Sequence, residues 1–311
     1  MRRALSILLV LAVLLPGCGI PWGHLNPLFD AYRTGVWYLR QSPNVVADVP
    51  YGDDPMQKVD VYRTTGKTPA PVVFFIHGGS WQYGDRKQLA VLGKVLGEMG
   101  YVTVMPDYRM YPQVTYPAFV DDVVAALNWT VAHVAQYGGD PDCVVVAGHS
   151  AGAHLTMIPF VDDAFRKKFA FDPMKIRGLA PVSGPFDFPR IGQGAADQTK
   201  LHRIMAGDEG FRNAQPIHHV RKDLPPVLLL VGSKDTITPP GQVEAYAKLL
   251  KDAGADVELD VIPGNDHIMI LLPLAKVEEG RSADVLYGFF QKVTAGCACA
   301  TGSGASGANA R

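Results

Sequence analysis

The stretch VVVAGHSAG, Val144 to Gly152, runs a string of β-branched residues into two glycines that bracket a serine. A buried strand that stops at Gly-x-Ser-x-Gly and passes into the helix-forming AHL reads as a strand–turn–helix with Ser150 at its tip. A side chain at either glycine position would collide across so tight a turn. The turn holds the hydroxyl clear of the sheet and sets a helix N-terminus beneath any negative charge that develops there. A glycine turn that only packs a helix, or a phosphate cradle, draws on the same residue types. The G-x-G-x-x-G and G-x-x-x-x-G-K-[ST] spacings of phosphate-binding loops do not occur at this turn.

Working outward from Ser150, five more apolar runs have strand length: Val72 to His77, Tyr101 to Asp107, Gly178 to Gly184, Val227 to Gly232 and Val257 to Gly264. Their near-continuous apolar character suits a parallel sheet covered on both faces. Helical stretches separate them at Arg86 to Glu98, Pro117 to Tyr137, Ala151 to Phe160 and Gln242 to Ala253. The expected class is therefore α/β, with a mostly parallel central sheet, helices on both faces and a leading antiparallel pair near Val45 and Val59. One segment, 185–226, breaks the alternation and is longer than a simple loop, so it is expected to form a cap or insert.

A serine hydroxyl is a weak nucleophile without a base, and the base needs an acid to hold its tautomer. Asp235 follows the strand at Val227 in GSKDTITPP, and His267 follows the last strand in GNDHI. One helix and one strand fit between them, so the order Ser150, Asp235, His267 closes the topology. Asp266 competes with Asp235, but its neighbour's side chain diverges from it, and its expected role is to accept loop amides. Glu244 is expected on a solvated helix face. His149, His154, His218 and His219 are expected as packing or surface residues. No HExxH or clustered ligand set points to a metal, and no cofactor is expected.

HGGSW, His77 to Trp81, follows another strand and supplies glycines whose amides can turn toward a carbonyl oxygen. Gly78 and Gly79, with the amide of Ala151, are the expected donors of an oxyanion hole, and Ser80 is the alternative. Trp81 and Tyr83 are expected to wall the substrate pocket.

The chain has 311 residues and a formal net charge of −1, with no basic stripe that would mark a nucleic-acid partner. Arg2 and Arg3 precede an apolar run from Ala4 to Leu15, the layout of a secretory signal. Leu15, Gly17 and Cys18 of LPGC resemble the lipobox of bacterial lipoproteins, which implies lipidation at Cys18, with an ordinary signal cut elsewhere or an uncleaved anchor as the alternative. The expected organisation is a signal peptide over 1–17, a tether and helix over 18–44, a catalytic domain over 45–294 and a disordered tail over 295–311. Localisation in a bacterial cell envelope, by a lipid anchor on Cys18, follows as an expectation. Cys143 is expected as a small buried side chain. Cys297 and Cys299, in the Gly/Ala/Ser tail, are free to pair with each other, with another chain or not at all.

The motifs HGGSWQYGD, MPDYRMYPQVTYPAFVDDVVAALNW, YGGDPDCVVVAGHSAGAHL, GSKDTITPP and GNDHI resemble the α/β-hydrolase superfamily. The likeness runs from about Val59 to Phe290. It is nearest the carboxylesterase and lipase branch with hormone-sensitive-lipase-like, kynurenine-formamidase-like and isoprenylcysteine-methylesterase-like enzymes. The resemblance implies Ser150 as nucleophile, His267 as base, Asp235 as acid, and Gly78 and Gly79 at the oxyanion hole. It implies a bracing role for Asp107, Tyr108 and Arg109, and a sheet-supporting helix at Asp122 and Trp129. Ser80 stands where the hormone-sensitive-lipase-like pattern has glycine. The implied reaction is cleavage of a small-molecule ester of short to medium acyl chain, with a formamidase, amidase or thioesterase as the alternative. A noncatalytic ligand-binding lipoprotein on the same fold is the reading from another class.

Overall fold

A computed structural model describes residues 42–192, 197–276 and 279–297. The expected signal peptide, the expected tether up to residue 41, Cys18 and Cys299 lie outside these residues. Eight strands form one sheet: β1 Val45–Pro50, β2 Lys58–Tyr62, β3 Ala70–Ile76, β4 Val102–Pro106, β5 Gly139–His149, β6 Gly178–Val182, β7 Val227–Gly232 and β8 Val257–Ile262. Their order across the sheet is β1-β2-β4-β3-β5-β6-β7-β8. The β1–β2 and β2–β4 pairs are antiparallel and every later pair is parallel.

The apolar runs are continuous because both faces of the sheet are covered. Val72, Phe74 and Ile76 of β3 point into one core, while Val73 and Phe75 point into the other. Successive strand side chains alternate between faces, so a run with no polar break belongs to a strand buried on both sides. The first core is closed by α2 Ala118–His133, α3 Ala151–Val161 and α7 Pro240–Asp252, the second by α1 Ala90–Glu98 and α8 Arg281–Thr294. Every residue of α3 is buried, which places the helix after Ser150 at the centre of the molecule. Among the described residues no helix is long and apolar enough to cross a membrane.

The segment 185–226 is a seated insert with two short helices, α5 Gln198–Ile204 and α6 Asp208–Asn213. A four-residue helix, α4 Asp163–Arg166, precedes it. Phe188, Leu201, Ile204, Phe211 and Ala214 of the insert are buried in the first core. Weak periodicity in the sequence reflects short helices joined by turns, each contributing one or two anchors.

The C-terminal end bears on two expectations. Cys143, at the buried part of β5, is disulfide-bonded to Cys297, with Cα atoms 6.0 Å apart. Cys143 is buried as expected and is also bonded, and Cys297 pairs with it and not with Cys299 or another chain. The tail expected to be disordered from Ala295 includes Cys297, a buried residue that the end of α8 delivers to β5, and its residues after Cys297 lie outside those described.

Candidate active site

Ser150 sits between β5 and α3 with φ 57° and ψ −120°, a backbone conformation that L-residues rarely adopt. The flanking glycines make it possible. A Cβ on Gly148 would overlap the Gly152 carbonyl, and one on Gly152 would overlap the Ile76 carbonyl at the end of β3. The turn is pinned where Ser150 N–H donates to Val182 O at 2.9 Å.

The loop after β7 brings Asp235, and the loop after β8 brings His267, to the same sheet edge. His267 Nε2 lies 2.9 Å from Ser150 Oγ, and His267 Nδ1 lies 2.8 Å from Asp235 Oδ2. A carboxylate only accepts, so Nδ1 carries the proton and the bare Nε2 faces the serine hydroxyl. Asp235 is 3% exposed. Burial alone would raise its pKa, but the bonds from His267 and Thr238 outweigh it and hold the carboxyl below its usual value. Its Oδ1 accepts the amides of Ile237 and Thr238 at 3.0 and 2.8 Å, and its Oδ2 also accepts the Thr238 hydroxyl at 2.8 Å. The carboxylate is ionised and fixed in orientation.

His149 lies beneath His267. Its Nε2–H donates to the His267 carbonyl at 2.8 Å, and the two rings are 4.7 Å apart. Burial, followed by the neighbouring His267, pushes its pKa down to about 3, so the ring stays neutral. Asp266 accepts the amides of Ile268 and Met269, the role expected of it.

The HGGSW loop meets the elbow through Gly78, where an added Cβ would lie 3.1 Å from Ser150 Cβ. His77 Nδ1–H donates to the Gly78 carbonyl at 2.7 Å, and the Gly79 carbonyl accepts the amides of Gln82 and Tyr83 at 3.0 and 2.9 Å. In a trans peptide the next N–H points away from the carbonyl, so the amides of Gly79 and Ser80 face away from these bonds. Among the described residues those two amides, that of Gly78 and that of Ala151 at the start of α3 meet no acceptor. Ser80 and Trp81 both have positive φ, 54° and 58°. Tyr108 stacks on His77 at 4.6 Å and bonds its carbonyl, while Asp107 carries buried Arg86. Arg109 pairs with Asp122 of α2 at 2.7 Å.

A cavity of about 20 Å³ opens beside Ser150, between Ser80 and Trp81 on one side and Ile191 and Leu201 of the insert on the other. Tyr83 does not line it; its side chain is 43% exposed and stands 5.9 Å from Lys200. The turn that seats the Tyr83 backbone against Gly79 points its ring outward. The described residues contain no group of three or more His, Cys, Asp and Glu side chains that could hold a metal ion.

The BD-FAE family profile matches residues 59–250, from β2 to the end of α7. The chain belongs to the BD-FAE family. It is 30% identical over 254 residues to a probable carboxylic ester hydrolase, LipM, of Mycobacterium tuberculosis, covering 74% of this chain and 57% of that one. It is 29% identical to a probable isoprenylcysteine α-carbonyl methylesterase, ICMEL1, of Arabidopsis thaliana, covering 76% of this chain and 53% of that one. This BD-FAE chain thus spans a little over half the length of these curated relatives. In three dimensions it resembles a truncated carbohydrate esterase from gut microbiota, with a TM-score of 0.69, 20% identity, and coverage of 80% of this chain and 96% of that one. The fold is that of the α/β-hydrolase superfamily.

Several residues of the BD-FAE site carry no sequence signal. Thr238 contacts both Asp235 and His267, and its hydroxyl lies 3.3 Å from His267 Nδ1. Ile191 and Leu201 reach the cavity from a segment without periodicity. Their only clue is an apolar residue within a polar insert.

Proposed function

We propose that this chain is a serine carboxylic ester hydrolase. The observation that carries the reading is the continuous line from Asp235 through His267 to Ser150, two bonds of 2.8 and 2.9 Å in the correct polarity. His267 takes the Ser150 proton as the hydroxyl oxygen attacks the ester carbonyl carbon, and Asp235 stabilises the imidazolium. The carbonyl oxygen becomes an oxyanion beside the amides of Gly78, Gly79 and Ala151, with that of Ser80 as the alternative donor. Collapse breaks the bond to the alcohol, which leaves with the proton from His267. Water then enters, gives a proton to His267 as its oxygen attacks the acyl carbon, and collapse breaks the bond to Ser150 Oγ, which takes the proton back from His267 as the acid leaves. The loss of one oxyanion donor typically costs about 2.7 to 4 kcal/mol of transition-state stabilisation.

The small space beside Ser150 supports a short chain on the acyl or the alcohol side of the ester. A cavity of about 20 Å³ beside Ser150 has room for little more than one water-sized group. The names of the relatives, a probable carboxylic ester hydrolase and a probable isoprenylcysteine α-carbonyl methylesterase, agree with an ester bond.

Export to a bacterial cell envelope with a lipid on Cys18 belongs to the same proposal. The intrachain disulfide supports it, since disulfides persist in oxidising compartments.

The test is the initial rate on p-nitrophenyl esters of increasing acyl length, with the Ser150→Ala variant alongside. Turnover that vanishes in the variant and peaks at the shortest chains is the expected result. Equal turnover in both proteins would overturn the assignment of Ser150.

A further inference from the structure

His154 lies one helical turn beyond Ser150 on α3 and is fully buried. Both of its ring nitrogens are engaged, and by opposite kinds of partner. Trp81 Nε1 lies 3.2 Å from His154 Nδ1, and an indole N–H only donates, so Nδ1 is the bare nitrogen. His154 Nε2 lies 2.6 Å from the Ala214 carbonyl, which only accepts, so Nε2 carries the proton. One neutral tautomer satisfies both, and burial favours that neutral form by pushing the pKa down to about 4.

The two partners belong to different parts of the molecule. Trp81 is in the HGGSW loop, where it and Ser80 are held at positive φ. Such backbone persists only when its surroundings over-determine it. Ala214 follows α6 in the insert, the segment that also supplies the cavity wall through Leu201. Phe188 of the insert packs edge-on against Trp81 at 5.7 Å and beside His154 at 5.6 Å, closing the same joint with apolar surface.

We infer that His154 is a positioning residue that ties the insert to the oxyanion loop, holding the indole of Trp81 and through it the amides of Gly79 and Ser80. This rests on the esterase reading. His154 touches no reacting atom. The oxyanion is a charge present in the transition state and absent from the bound ester, so loosening its donors falls on kcat more than on KM.

The test uses the full chain and four variants: His154→Phe, Trp81→Phe, the double variant, and His154→Gln, whose amide can both accept and donate. The probes are p-nitrophenyl acetate and an aryl trifluoromethyl ketone, which adds the serine oxygen to its carbonyl carbon and leaves an oxyanion. The expected result is a tenfold or greater fall in kcat for His154→Phe with KM within twofold, and parallel weakening of the ketone. The double variant is expected to be no worse than the poorer single variant, and His154→Gln to regain most of the rate. A kcat within twofold of wild type in folded His154→Phe, or multiplicative losses in the double variant, would overturn the coupling while leaving the esterase reading intact. Should His154→Phe not fold, His154→Asn, too short to reach both partners, carries the same comparison at matched Tm. Retention of turnover by Ser150→Ala in the same series overturns both.

Discussion

His149 donates a hydrogen bond from its ring to the backbone carbonyl of His267 at 2.8 Å, so the variable residue of the elbow supports the histidine above it. Loss of that donor leaves a buried carbonyl unpaired, an effect of about 1 to 3 kcal/mol. His149→Leu is therefore expected to lower kcat roughly ten- to a hundredfold, with Ser150→Ala defining the floor. Steady-state kinetics check this, and an unchanged kcat would show that the loop after β8 holds His267 unaided.

Asp235 is held by four donors, and one of them is the Thr238 hydroxyl. Asp235→Asn keeps the shape but offers His267 the wrong tautomer, and a fall of about 10⁴ in kcat is expected on the serine-hydrolase template. Thr238→Val removes one bond of the four and is expected to cost on the order of tenfold in kcat, about 1.4 kcal/mol. The two variants measured together rank the contacts. A larger loss in Thr238→Val than in Asp235→Asn would contradict the ranking.

Acid is expected to destabilise the fold well above the usual carboxylate range. His149 and His154 are neutral inside the protein, with values of about 3 and about 4 against 6.5 for the ordinary side chain. Between those limits the unfolded chain binds more protons than the native one, so stability rises with pH and is lost as pH falls below 6.5. Each histidine contributes a slope of up to about 1.4 kcal/mol per pH unit in that window. Asp235 and Asp107, both held below 3.8, add to the loss only at still lower pH. Asp60, raised by burial, acts in the opposite sense. Urea midpoints at pH 7 and pH 5 check the slope, and equal midpoints would refute it.

Reduction of the Cys143–Cys297 bond is expected to lower stability by about 2 to 5 kcal/mol, as for other native disulfides. Thermal unfolding with and without dithiothreitol, and of Cys297→Ser, measures it. The Ser150–His267 geometry is at the far end of β5, so turnover at 25 °C is expected to persist in the reduced protein.

The fold and the three side chains of the proposed triad are legible in the sequence because each rests on local chemistry. Glycines at 148 and 152 are required by backbone overlap, and Asp235 and His267 each follow an apolar strand whose period is plain. The supports are not legible, because they are contacts between distant segments. Nothing local tells Thr238 from any other threonine after a strand, or His154 from a packed histidine. The pairing of Cys143 with Cys297 depends on α8 turning back over the sheet, a helix whose apolar spacing at Leu286, Phe289 and Phe290 the strand pattern overshadows. Tyr83 differs from Trp81 only in which side of one tight turn it occupies.

The disulfide also closes a covalent ring through Cys143 and Cys297, and Ser150, Asp235, His267 and the whole insert lie on that ring. A protease that cuts the insert once, anywhere from Pro185 to Pro226, therefore makes a nick without making two molecules. The fragments stay joined until a reductant reaches the bond, so a clipped protein migrates as one chain on a nonreducing gel and as two on a reducing one.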